Sequence, residues 1–189
     1  KSAKHELNVD AGKISLLRTT FNTEIKLLAI KDKRRGETTL NGVERSAIEK
    51  AARNSVECSQ ASPQDEAYDI SENQPPQSFD NGLTASDTGK MFERLEEYLS
   101  QSKKLYPKTI QEHSVLDFTR TTEYLCNSNG VDLESSQWIY NFMSMFTTKD
   151  GKKSSSFNYS AISLKTLEKD LLSCSSINTL LRQSAEQLD

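Results

Sequence analysis

Apolar residues recur along this chain mainly at helical spacing, and the longest such pattern lies in its last third. Leu164, Leu171, Asn178 and Ala185 interleave there with Leu167, Cys174, Leu181 and Leu188 at seven-residue steps. On a helix these side chains share one seam, whose exposure would cost hydrophobic free energy that a facing helix recovers. The spacing predicts a long amphipathic helix from about Ser160 to Leu188. Ser175 and Ser176 offer a break in it. If Ser176 caps a new helix, Ile177, Leu180, Leu181 and Leu188 form a different face and Asn178 is an exposed first-turn residue. If the helix runs on, Asn178 sits at an inner position and sets register with a partner.

The same reading predicts helices upstream. From Asp10 as N-cap, Ile14, Leu17, Phe21, Ile25 and Leu28 step by three or four, which predicts a helix to about Lys33. Lys31, Lys33, Arg34 and Arg35 would fall at its end, where the helix dipole favours cations, and Gly36 would stop it. A weaker helix from about Asn41 to Cys58 aligns Val43, Ala47 or Ile48, Ala51 or Ala52, and Val56 on a small face suited to close packing. Ser86 or Asp87 caps a helix carrying Met91, Leu95, Tyr98, Ser102 and Leu105, which ends before Pro107. Ser114 with Asp117 opens another, closed by Asn129 and Gly130. Asp132 caps one running from Leu133 to about Thr147, where Trp138, Phe142 and Phe146 form the densest aromatic cluster and are assigned to an internal core. Nothing alternates with period two for long enough to define a sheet, so the expected fold is all-α.

Composition divides the chain. Residues 59–87 hold three of the four prolines and only scattered apolar residues. Such a segment lacks the apolar surface to offset its ordering entropy. It reads as an acidic linker, or as an extended peptide anchored on a partner by Tyr68, Ile70, Phe79 and Leu83. Three parts are expected: N-terminal amphipathic helices over 1–58, the linker over 59–87, and a helical bundle with a long terminal helix over 88–189. Charge follows the same division. Residues 1–58 carry 12 Lys and Arg against 8 acids, whereas residues 59–89 carry six acids and no basic side chain. The whole chain nets -3, with 34% apolar residues and a mean hydropathy of -0.68, so no global field draws nucleic acid or an anionic membrane.

Motifs for chemistry are sparse. His5 and His113 stand far apart, and Cys58, Cys126 and Cys174 lack C-x-x-C spacing, so neither a metal site nor a disulfide framework is expected. Gly89-Lys90 and Gly12-Lys13 fail the phosphate-loop pattern, and no nucleophile elbow occurs. Pairs such as Glu96-Glu97 read as solvated helix faces. No run is long enough to span a membrane. Ser62-Pro63, followed by Asp65 and Glu66, is the best phosphosite candidate. The start at Lys1 rather than Met reads as a fragment or processed chain.

These features imply a non-enzymatic scaffold or adaptor subunit of an intracellular complex, nuclear rather than cytoplasmic. Leu17, Phe21, Ile25, Leu28, Leu164, Leu167, Leu171 and Leu181 would bind partner proteins, without cofactor, metal or small-molecule substrate. The alternative is a nucleic-acid or chromatin-associated factor. Its phosphate contacts would be Lys31, Lys33, Arg34 and Arg35 together with the cluster from Lys149 to Lys153, chiefly Lys152 and Lys153.

Overall fold

The computed structural model describes residues 1–80 and 82–188, and it overturns the all-α expectation. Strands dominate: β1 (Ser2–Asp10), β2 (Lys13–Asn22), β3 (Ile25–Lys31), β4 (Arg34–Leu40), β5 (Gln77–Asp80), β6 (Thr109–Cys126), β7 (Asp132–Asp150), β8 (Lys153–Ser154) and β9 (Asn158–Leu164). Three helices accompany them among the described residues: α1 (Arg45–Ala61), α2 (Thr88–Leu105) and α3 (Ile177–Glu186). The chain forms two compact units that alternate along the sequence. Residues 1–2, 21–80 and 121–136 make the first, and residues 3–20, 82–120 and 137–188 make the second.

In the first unit β3 and β4 pair antiparallel from Ile25 opposite Leu40 to Lys31 opposite Arg34. Asp32 and Lys33 form the two-residue turn with φ of 51° and 58°. Positive φ at both central residues matches the right-handed twist of the flanking strands, which is why such turns close hairpins. The basic cluster therefore surrounds a hairpin turn rather than the last turn of a helix. α1 lies over this hairpin, close to the expected span, and buries the small residues Ala51, Ser55 and Ser59 at every fourth position. Each serine hydroxyl donates to a carbonyl of the preceding turn, Ser55 to Ala52 at 2.8 Å and Ser59 to Val56 at 2.7 Å, so its burial leaves no orphan donor.

The acidic, proline-rich segment after α1 is held by hydrogen bonds in place of apolar burial. Arg34 donates to the Ser62 carbonyl, the Asp65 amide donates to the Lys33 carbonyl at 2.8 Å, and Lys33 pairs with Asp69 at 3.2 Å. Asn127 and Asn129 both donate to the Ser71 carbonyl. β5 then pairs parallel with Leu133–Ser136 at the start of β7.

The second unit is a sheet in the order β2, β1, β6, β7, with β9 pairing the other edge of β7 antiparallel from Tyr140 opposite Leu164 to Phe146 opposite Asn158. Ala11 and Gly12, with φ of 48° and 73°, turn β1 into β2 where a helix was expected to be under way. The expected helices after Ser114 and Asp132 are strands β6 and β7. On β7, Tyr140, Phe142 and Phe146 point into the core and Trp138 packs against it, in step with the two-residue period of a strand. α2 follows the expected boundaries: the Asp87 carboxylate accepts from the Lys90 amide at 2.8 Å, and Met91, Leu95, Tyr98 and Ser102 are buried. Together with Leu7 and Val9 of β1 and Leu116 and Phe118 of β6, these side chains form a single core.

The expected terminal helix is likewise corrected. Its seam divides among β9, an irregular segment and α3, which starts after Ser176 and leaves Asn178 exposed, hydrogen-bonded through Oδ1 to the Tyr106 hydroxyl at 2.6 Å. Leu167, Leu171 and Leu181 are buried beneath the sheet with Ile177, and Leu164 packs against them. Their hydrophobicity is satisfied within the unit. No partner helix is needed to cover it.

Candidate functional site

Both helices of the second unit contribute to the core on one face of its sheet, so the other face is left to strands alone. A groove of about 450 Å³ runs across this open face, lined by residues of β1, β2, β6, β7 and β9 and, among the described residues, by none from a helix. Alternation explains its composition. In β1 the inward Leu7 and Val9 alternate with Glu6 and Asn8, and in β6 the inward Leu116 and Phe118 flank Asp117.

Four charged side chains organise the groove. Glu6 accepts from Arg18 at 2.5 Å and from Asn8 at 3.1 Å through Oε1, while Lys4 meets its Oε2 at 2.9 Å. Lys4 also faces Asp117 at 3.6 Å. Asp117 in turn accepts from Asn141 at 3.1 Å and from Thr119 at 2.9 Å, and Asn141 accepts from Ser163 at 2.8 Å. At one end His113 Nδ1 lies 2.9 Å from Asp10. The network crosses from β2 to β9 without a break.

Burial by itself would raise the Glu6 carboxyl, but the hydrogen bonds from Lys4, Asn8 and Arg18 outweigh it and hold the group at about 2. Lys4 is raised in turn, chiefly by its bond to Glu6. Glu6 is thus ionised at neutral pH and committed to its partners. Because its folded value lies below the ordinary 4.5, it stabilises the fold above pH 4.5 and loses that contribution as pH falls toward about 2. Urea midpoints measured across this window are expected to fall in the wild type. In Glu6→Gln the same component is absent, and stability at neutral pH is lower by about 1–2 kcal/mol, since both cationic partners are partly solvated.

The residues expected from sequence to bind partners are dispersed. Leu17 and Phe21 lie exposed on β2, Ile25 and Leu28 lie on β3, and Leu164, Leu167, Leu171 and Leu181 belong to the second unit's interior or its margin. The proposed phosphate contacts are equally divided. Lys31, Lys33, Arg34 and Arg35 flank the β3–β4 turn in the first unit, where Lys31 is exposed and the other three are engaged by Asp69, Ser62 and Glu37, whereas Lys153 donates to the Leu188 carbonyl in the second and Lys152 is exposed. The leucines are spread over both units, and the basic residues lie at two separate turns. Sequence reading passed over the groove residues because they come from five strands, and only the alternation of Glu6 and Asn8 with Leu7 and Val9 signalled a two-sided strand. Among the described residues no group of three or more His, Cys, Asp and Glu could hold a metal ion.

No family model matches the sequence, and no curated protein does. Solved structures do match it. TldE from Thermococcus kodakarensis superposes with a TM-score of 0.70 at 14% identity, covering 98% of this chain and 41% of that one. A proposed modulator of a DNA gyrase from Thermotoga maritima gives 0.64 at 11% identity, covering 99% and 42%. Another, from Bacteroides thetaiotaomicron, gives 0.68 at 16% identity, covering 99% and 43%. At these identities the likeness is one of fold, and the chain spans less than half the length of each structure. All three neighbours come from prokaryotes, which have no nucleus. The expectations of a nuclear scaffold that bridges partners through amphipathic helices, and of a chromatin factor, are corrected on both counts, since the expected helices over 10–33 and 160–188 are largely strands and irregular chain and the basic clusters lie at hairpin turns where Lys33, Arg34, Arg35 and Lys153 have internal partners.

Proposed function

We propose that the chain is a non-enzymatic domain that modulates another protein by binding it on the open face of the second unit's sheet. The carrying observation is the face itself, an uninterrupted five-strand surface in which half-buried Val115 and Met143 adjoin a hydrogen-bonded charge network. Mixed polar and apolar surfaces of this kind suit protein partners, whose interfaces are about as apolar as ordinary surface. A modulating role agrees with the names of two of the structural neighbours.

The chemistry of the groove supports binding over catalysis. A general base works best with a pKa near the operating pH, and Glu6 at about 2 is far below it. Ser163 donates to Asn141 and makes no hydrogen bond to His113, so the two are not joined as a nucleophile and base pair.

Site-specific photocrosslinking tests the reading. A benzoylphenylalanine in place of exposed Ala161, within the groove, is expected to capture a defined protein in the native cell. The same group in place of exposed Lys169, in the segment between β9 and α3, is expected to capture it much less. Equal capture from both positions, or none from Ala161, would count against the open face.

A further inference from the structure

We infer that the segment taken by this face is acidic, with side-chain carboxylates of the partner meeting Arg18 and Lys4. The inference rests on the binding role proposed above and adds the chemistry of the partner.

The four charges of the groove lie at two depths. The side chains of Glu6 and Asp117 are only 4% and 11% exposed, whereas those of Lys4 and Arg18 are 38% and 59% exposed. The formal charges cancel, yet an approaching chain meets the cations first. Its nearest charges are then the two cations, with the carboxylates farther behind them, so the field at contact distance is positive. Among the described residues Glu6 and Asp117 are the only carboxylates that line the groove, and the donors already described occupy both; Asp10, at its end, is engaged by His113 and Ser15.

Donor capacity remains on the outer side. A guanidinium carries five N–H donors in a planar fork, and Arg18 uses Nη2 on Glu6. Its remaining edge can grip a carboxylate by two parallel bonds, with Glu6 behind it fixing the orientation of the fork. The Lys4 ammonium, held between Glu6 and Asp117, has three donors. Asn8, Asn141 and Ser163 flank the two cations with side chains able to serve the backbone amides of an extended segment. A basic segment would meet like charge at the rim, and a purely apolar helix would strand these polar groups without partners.

Fluorescence anisotropy with the whole chain and two labelled octapeptides, one alternating Glu and Ser and the other Lys and Ser, tests this. The acidic peptide is expected to bind with an affinity that falls as salt rises, and the basic peptide is expected not to bind. Arg18→Gln should weaken binding about tenfold, the loss of a charge-assisted fork, while Lys13→Gln at the start of β2 should leave it unchanged. Arg18→Lys, which keeps the charge and loses the fork, should fall between wild type and Arg18→Gln and guards against a folding artefact. Equal binding of both peptides, an unchanged affinity in Arg18→Gln, or displacement of the acidic peptide by an equimolar amount of inorganic phosphate would overturn the inference. Crosslinking from position 161 without acidic-peptide binding overturns this inference and leaves the docking face standing. Failure of that crosslinking removes the docking face itself.

Discussion

Replacing Gly36 with alanine is expected to destabilise the first unit by about 3 kcal/mol, the upper end of the cost of overpacking. A Cβ built at this position lies 1.9 Å from the Ser55 carbonyl oxygen and 2.3 Å from the Ser59 amide nitrogen. Both atoms belong to the backbone of α1, so no side-chain rotation relieves the clash. The helix must lift off the β3–β4 hairpin instead. Lifting it would expose Ala51 and uncover Ser55 and Ser59, the small residues that allow the close approach. Amide exchange in β3, β4 and α1 should accelerate in the variant. Gly42→Ala is the matched control, since a Cβ there meets nothing within 4 Å, and its stability should stay within about 0.5 kcal/mol of wild type. Unchanged protection in Gly36→Ala would show that α1 is not seated as described.

An effect of comparable or greater size is expected in the second unit. Phe142→Ala should cost about 3–5 kcal/mol, the range for removing a fully buried aromatic ring and leaving a cavity. Phe142 is completely buried on β7, and its ring meets the edge of Tyr98 from α2 with centroids 4.9 Å apart at an interplanar angle of 74°. It therefore ties the helix layer to the sheet at the centre of the core. Tyr98 also carries the polar contacts of that centre. Its hydroxyl lies 2.8 Å from Ser144 Oγ and donates to Gln111 at 3.1 Å. Phe142→Leu, which fills much of the volume, should cost less than alanine, and Tyr159→Ala, at a residue 66% exposed, should cost about 0.5 kcal/mol or less. Urea denaturation orders these variants. A Phe142→Ala chain as stable as Tyr159→Ala would place this residue outside the core.

Helices were legible where local signals agreed. In α2 the Asp87 cap, the Met91, Leu95, Tyr98 and Ser102 stripe, and the stop before Pro107 all point the same way. The start of α3 was visible as one of two options at Ser176. Strands were hidden for physical reasons that differ from case to case. β2 is exposed along nearly its whole length, so it shows no alternation, and its Leu17 and Phe21 fell into a helical spacing with Ile25 and Leu28 of a different hairpin. β7 does place aromatic residues two apart, but its outward positions Ile139, Met143 and Met145 are apolar and half-buried as well, which blurs the two-residue contrast. The turns at Ala11-Gly12 and Asp32-Lys33 adopt positive φ without the Asn-Gly pair that advertises a hairpin. The seven-residue seam arose by coincidence: its leucines reach the core from β9, from the irregular segment after it and from α3.

The groove was the least legible feature, because its residues come from strands far apart in the chain. Glu6 and Asp117 are 111 positions apart, yet Lys4 bridges them across neighbouring strands. By itself the chain determined which short stretches are amphipathic, where α2 begins and ends, the aromatic content of the core, and the absence of recognisable catalytic motifs. Tertiary structure alone decided that most of the apolar stretches are strands, that the basic cluster anchors the acidic segment, and that one sheet face stays open with its acids beneath its cations. Helix caps and stripes act within a few residues, so local sequence carries them. Strand pairing and charge networks depend on partners brought together only by the folded sheet.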